Sequence, residues 1–201
     1  MAAATRWSAL SLTWASLVGV TSLIAGLAVS SVALVGFGAN SILDGSASAV
    51  LLWRFRHERL ATADAIAVER RAAIAVGTAM IGVALYLSVS AISALSTHSV
   101  PDRSAIGIVL TAASVFVFPV LARAKLRLAA PLGSTALRGD GVLSLAGAIL
   151  AAATLASLIL DAAFDWWWAD AVAALLISGL LLAEGMRTVR LRAEQLADRV
   201  G

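Results

Sequence analysis

Residues 31–55 read SVALVGFGANSILDGSASAVLLWRF. From residue 32 to residue 53 this stretch holds a single charged side chain, Asp44, and it runs into Trp53 and Arg54. A helix needs about 20 predominantly apolar residues to cross the hydrocarbon of a bilayer. An aromatic residue followed by a basic one is how such a helix meets the headgroups. The stretch therefore predicts a membrane span.

Five more stretches meet or approach the same requirement: residues 10–29, 72–95, 105–121, 137–160 and 167–186. Together they predict an all-α membrane protein, a bundle of six transmembrane helices filling residues 1–190. Pro119, near the end of the fourth span, does not cancel it, because neighbouring helices satisfy the carbonyl that a proline frees. The glycines of GFGAN, residues 36–40, loosen the start of the second span. The first apolar run is longer than the core of a secretory signal, so it reads as a span that is kept.

Composition gives the same class. The chain has 201 residues, 61% of them hydrophobic and 13% charged, with a mean hydropathy of +0.94. A soluble domain carries about 25% charged residues, and one this small leaves too much surface facing water to hide so many apolar side chains. The pI near 10.5 does not point to nucleic acid, because the basic residues sit in short clusters between apolar runs. Without cysteine, disulfides, thiolate metal sites and cysteine nucleophiles are excluded. Arginine far outnumbers lysine and alanine is abundant, a usage that suggests a high-GC bacterial genome and hence the cytoplasmic (inner) membrane.

The positive charges orient the bundle. Arg6 precedes the first span. Arg54, Arg56, Arg59, Arg70 and Arg71 follow the second. Arg123, Lys125 and Arg127 follow the fourth, with Arg138 just inside the fifth, and Arg187, Arg190, Arg192 and Arg199 follow the sixth. Only Arg103 falls on the other side, a division of 14 to 1. Basic residues collect in cytoplasmic loops, so both termini are expected in the cytoplasm, which an even number of spans requires. The external Asp161 and Asp165 then adjoin Trp166, Trp167 and Trp168, the place of an interfacial aromatic belt. Residues 187–201 read as a short basic cytoplasmic tail, amphipathic through Val189, Leu191, Leu196 and Val200, and too short for a soluble C-terminal domain.

Polar side chains inside spans are costly and tend to mark ion or substrate paths. Asp44 lies about 15 Å along its helix from the Trp53–Arg54 step, near the bilayer midplane. Asn40 precedes it by one turn and shares its face, and Ser48 continues the stripe. Asp140 sits near the cytoplasmic end of the fifth span, with Ser144 one turn on. If the second and fifth spans pack together, Asn40, Asp44, Asp140 and Ser144 form an oxygen-rich pocket suited to a hard or borderline divalent cation. The structural alternative pairs each acid with an arginine, Arg138 being close to Asp140, or uses it to cap a helix. Glu184 and Arg187 read as a surface pair, and His98, beside Pro101 and Asp102, as a solvated loop residue. Gly36 and Gly38 lack the strand-to-helix setting of a nucleotide fingerprint. No serine, histidine and aspartate are placed as a catalytic triad, so an enzyme is not expected.

The order of these features resembles the transmembrane domain of the cation diffusion facilitators, which export divalent metals such as zinc. The likeness runs over residues 10–190. It is most specific in residues 31–55, in GSTALRGDGVLSLAG (133–147) and in WWWADAVAALLISGLLLAEG (166–185), where an Ala-Asp pair begins the sixth span. The resemblance implies a metal site between the second and fifth helices, each giving ligands at i and i+4. Asn40 and Asp44 match the pair on the second helix, with Asn40 a neutral substitute for the usual acid or histidine. On the fifth helix the usual positions fall on Leu143 and Gly147, which have no donor side chain, so Asp140 and Ser144 would form a shifted half-site. The resemblance further implies a homodimer that exports the metal by alternating access in exchange for protons, with no resident cofactor. The alternative left open by Leu143 and Gly147 is a non-transporting membrane protein that keeps the fold and serves a structural or regulatory role.

Overall fold

Six long helices make up the computed structural model, which describes residues 2–56, 63–99, 102–132 and 135–197. They are α1 (Ala2–Ala28), α2 (Val32–Arg56), α3 (Ala63–Thr97), α4 (Ala105–Leu132), α5 (Thr135–Phe164) and α6 (Trp168–Ala197). No strand occurs among the described residues. Each helix contains a segment long and apolar enough to cross a membrane, as the sequence predicts. Arg59, Pro101, Arg199 and Val200 lie outside the described residues, and the side chains of Arg54, Arg56, Arg70, Arg71, Leu191, Arg192 and Leu196 are not described.

The helices outrun the apolar stretches that announce them, and α4 does so with most consequence. Ala, Leu, Arg and Lys are all strong helix formers, so ARAKLRLAA carries the helix past Leu121 to Leu132. Arg123 and Arg127, one turn apart, lie on the exposed face. Lys125, half a turn from each, faces inward and is fully buried. It is therefore an interior residue and not the loop charge that the sequence reading makes of it.

The helices pack most closely in the pairs α1 with α2, α3 with α6 and α4 with α5, while α2 also touches α3, α5 and α6. The core gathers Val18, Leu34, Phe37, Leu87, Phe118, Leu150, Ile177 and Leu181. Side chains such as Ile24, Val89, Val109 and Phe116 stay on the outer surface, where lipid is their solvent. Lipid offers no hydrophobic drive for helix association, so close backbone approach through small residues takes its place. At Gly38 of α2 an added Cβ would lie 2.7 Å from the Leu23 nitrogen and 3.0 Å from the Gly19 carbonyl oxygen of α1. At Gly185 of α6 it would lie 2.8 Å from the Gly77 carbonyl oxygen of α3.

Two helix ends on the side of Arg103 and the tryptophans close in the same manner. Ser30 and His98 take left-handed backbone angles, φ 57° and 53°. The next residue in each case reaches back into the last turn, Ser31 N to Gly26 O at 2.9 Å and Ser99 N to Ala94 O at 3.0 Å. This is the Schellman closure, which satisfies carbonyls that the helix leaves unpaired. His98 is more than a solvated loop residue: its ring lies 4.6 Å, centre to centre, from that of Trp167. Asp165, also left-handed at φ 52°, pairs with Arg103 at 2.9 Å across exposed surface. Asp161, by contrast, is buried inside the last turn of α5.

Asp170 explains the Ala-Asp pair at the start of α6. Its carboxylate is buried and accepts hydrogen bonds from the first turn of a different helix. Val32 N donates to Oδ2 at 2.8 Å, Ala33 N to the same oxygen at 3.3 Å, and Ser31 Oγ to Oδ1. Ser31 Oγ in turn accepts from Leu34 N at 3.1 Å. One acid thus caps α2 and pins it to α6, at the helix end where a negative charge is favourable.

Replacing Asp170 with Ala leaves three donors, two buried and one part-buried, without this acceptor. Thermal denaturation in detergent is expected to show a loss of about 2–4 kcal/mol, with Asp170→Asn losing less because it keeps one acceptor. Gly38→Ala pushes two backbones apart and is expected to cost about 1–3 kcal/mol. Gly82→Ala, where the added carbon meets nothing within 4 Å, is neutral or stabilising by up to about 1 kcal/mol through helix propensity. Equal melting temperatures for Gly38→Ala and Gly82→Ala would contradict the close-packing account.

Candidate functional site

Contact between α2 and α5 brings together most of the residues named from sequence. Asp44, Asp140 and Ser144 are all buried. Ser144 Oγ donates to Asp44 Oδ1 at 3.3 Å, a long bond that links the two helices. Ser48, one turn along α2 from Asp44, donates to Asp140 Oδ1 at 2.8 Å. Asn40 is buried as well, and its Nδ2 meets no acceptor. It lies one turn from Asp44 on the same face, so an amide oxygen and a carboxylate follow each other along the helix.

The centre of the cluster is a residue that the sequence reading places in a loop. Lys125 Nζ lies 2.8 Å from Asp140 Oδ2. It also lies 2.7 Å from Ser11 Oγ, 2.9 Å from Ser144 Oγ and 3.2 Å from Ser48 Oγ. An ammonium has three protons, and the three serine oxygens accept them, while Asp140 Oδ2 faces the charge as an ion-pair partner without hydrogen-bond geometry. The four oxygens come from α1, α2 and α5, and the lysine comes from α4. Four helices therefore meet on one nitrogen. The arginine pairing considered for Asp140 is not formed: Arg138 points to the exposed side.

Removing a charge from water costs several kcal/mol even after relaxation, and in hydrocarbon there is no water to retreat to. Lys125 and Asp140 offset that cost for each other, and the serine hydroxyls satisfy the remaining valences. Asp44 is served less well, by one long hydroxyl contact that reaches both of its oxygens. The cluster thus holds two carboxylates against one ammonium, and Asp44 is the carboxylate without a close positive partner.

Beyond the cluster, toward the Ser30 and Trp166 ends of the helices, aromatic rings of α2 and α4 fill the interior. Leu143 is half-buried against the core. An added Cβ at Gly147 would rest 3.6 Å from three ring carbons of Phe118. The Phe118 ring meets Phe37 edge-on, 6.3 Å between centres at 86°, and both side chains are fully buried. Where the resemblance places two further ligands, the structure has a leucine and a phenylalanine lid. Among the described residues no three His, Asp or Glu side chains converge on one point.

Two other acids stand apart from this cluster. Asp170 belongs to the α2 cap, and Glu184 pairs with Arg187 at 3.9 Å at the surface, as the sequence suggests. The residues missed from sequence are Lys125 and Ser11. One signal for the first is available, since Lys125 is the chain's only lysine among its fifteen basic residues.

Comparison with individually curated proteins gives no match. A family model does match, the cation efflux transmembrane domain, over residues 8–197. That span takes in most of α1, all of α2 to α6 and the whole cluster around Lys125, and the chain belongs to the cation efflux transmembrane-domain family.

Proposed function

We propose that the chain is a secondary transporter that exports a divalent metal cation, zinc being the first ion to test, in exchange for protons. The observation that carries this reading is the meeting of Asp44, Asp140 and Ser144 across the α2–α5 contact, inside a bundle of the cation efflux family. Asp44 is the principal ligand, because it is buried and lacks a close cation of its own. Asn40 supplies an amide oxygen one turn away, and Asp140 with Ser144 supplies the α5 side. All the donors are oxygens, the set that hard and borderline divalent ions take.

The protein is placed in the cytoplasmic membrane with both termini inside and works as a homodimer by alternating access. The orientation is supported by the arginines, all of which except Arg103 fall on one side by sequence. The Lys125–Asp140 pair, together with the missing donors at Leu143 and Gly147, favours a second reading in which the bundle transports nothing and serves as a structural or regulatory membrane component.

Uptake of zinc into inside-out vesicles separates the two. The transporter reading predicts uptake that a protonophore abolishes, reduced at least tenfold in Asp44→Ala. Uptake by Asp44→Ala equal to that of the wild type would remove Asp44 from the site. Absence of uptake for zinc, manganese and iron alike in the wild type would support the second reading.

A further inference from the structure

We infer that Lys125 is a tethered cation occupying the oxygen cage of the transported ion, and that the ion binds only by displacing it. This rests on the α2–α5 site being the place where the cargo binds.

The geometry of the cage carries the inference. Three of the four oxygens around Nζ come from the site itself: Asp140 and Ser144, assigned to the cargo, and Ser48, which is hydrogen-bonded to Asp140. The fourth, Ser11, closes the cage from α1. A divalent metal sits about 2.0–2.6 Å from its oxygen ligands, and the ammonium sits at 2.7–3.2 Å from these same atoms. Two cations sharing Asp140 and Ser144 at those distances would be only a few ångströms apart in a medium that screens poorly. One of them must leave.

The choice of residue fits the task. The other fourteen basic residues are arginine, and among the described residues lysine alone carries its charge buried between helices. An ammonium is a compact point charge with three rotatable donors, closer in shape to a metal ion than the flat, forked guanidinium is. Its four-carbon stem is flexible, and such stems let the charged end snorkel to the interface. Lys125 is well placed for that, lying between the exposed Arg123 and Arg127 on the basic end of α4. A displaced ammonium would swing toward that end of the bundle by rotation of its stem, without unwinding the helix. The stem would withdraw away from the Phe37–Phe118 lid, toward the end of the bundle that carries the basic residues.

A purely structural ion pair shares the same contacts but makes the opposite prediction about metal. Because Lys125 is the only lysine, amine modification reports on it without any substitution. Purified wild-type protein in lipid nanodiscs is treated with formaldehyde and a mild reductant, with and without Mn²⁺, and peptide mass spectrometry gives the methylation rate at Lys125. Loss of the free-ion electron paramagnetic resonance signal gives Mn²⁺ binding in the same samples. Saturating Mn²⁺ is expected to speed modification of Lys125 at least tenfold. Lys125→Met, which removes the competitor, is expected to bind Mn²⁺ at least tenfold more tightly than the wild type, and Lys125→Arg to bind no more tightly than it.

Mn²⁺ bound by the wild type with Lys125 modified no faster overturns the inference and leaves the site standing. If Lys125→Met does not fold, the wild-type modification rates decide alone. Failure of both the wild type and a folded Lys125→Met to bind Mn²⁺ overturns the inference and the site together.

Discussion

One buried ammonium draws four of the six described helices together. A lysine with no exposed surface, well inside a membrane helix, is tolerable only if each of its protons finds an oxygen and its charge finds a carboxylate. Lys125 meets both conditions by drawing on three other helices, through Ser11 of α1, Ser48 of α2, and Asp140 and Ser144 of α5. No single partner would suffice. The requirement therefore fixes how α4 stands against its neighbours, and does so where lipid gives no hydrophobic drive for the helices to associate.

The second constraint acts at the opposite end of the bundle and on α2. Asp170 caps that helix from α6, and Gly38 lets it lie close against α1. Held at its start by a carboxylate and along its length by a glycine contact, α2 has little freedom to rotate. Its polar stripe of Asn40, Asp44 and Ser48 is consequently aimed at α5. Asp44 and Asp170, both buried acids, thus differ in what they touch. Asp170 has its partners on both oxygens. Asp44 has one long hydroxyl contact, and its proposed role as a ligand rests on that incomplete satisfaction.

Most of the fold was legible in the sequence because membrane spans are set by apolar length, a property that survives ignorance of every contact. The α2 half of the site was legible for a related reason: Asn40 and Asp44 are polar residues in an apolar run, and a one-turn spacing fixes their common face. Lys125 was not legible by the same logic. The apolar run of the fourth span stops at Leu121, and ARAKLRL looks like a basic loop when charge alone is counted. Helix continuation turns it into an amphipathic segment, with Arg123 and Arg127 outward and Lys125 inward. Its partner Ser11 carried no signal, since one serine among many says nothing until another helix is placed beside it. The role of Asp170 was hidden likewise, because a cap supplied from a distant helix has no local spacing.

The site is also asymmetric along the membrane normal, and that asymmetry follows from the same residues. On one side of the cage lie the lysine stem and the stretch of α4 that carries Arg123 and Arg127 on its exposed face. On the other, Phe118 covers Gly147 and meets Phe37 edge-on, both rings wholly buried. A donor side chain at position 147 would need the volume that the Phe118 ring fills, so the glycine and the lid are one feature. The absence of a ligand there leaves the cage with fewer oxygens than two helices of i, i+4 pairs would provide, and all the positive charge it holds comes from Lys125. An internal ammonium needs only the shallow half of such a site, and Asp140 with Ser144 supplies it. Asp44, one turn deeper than Ser48 and beneath the lid, is the part of the cage that the lysine does not fill.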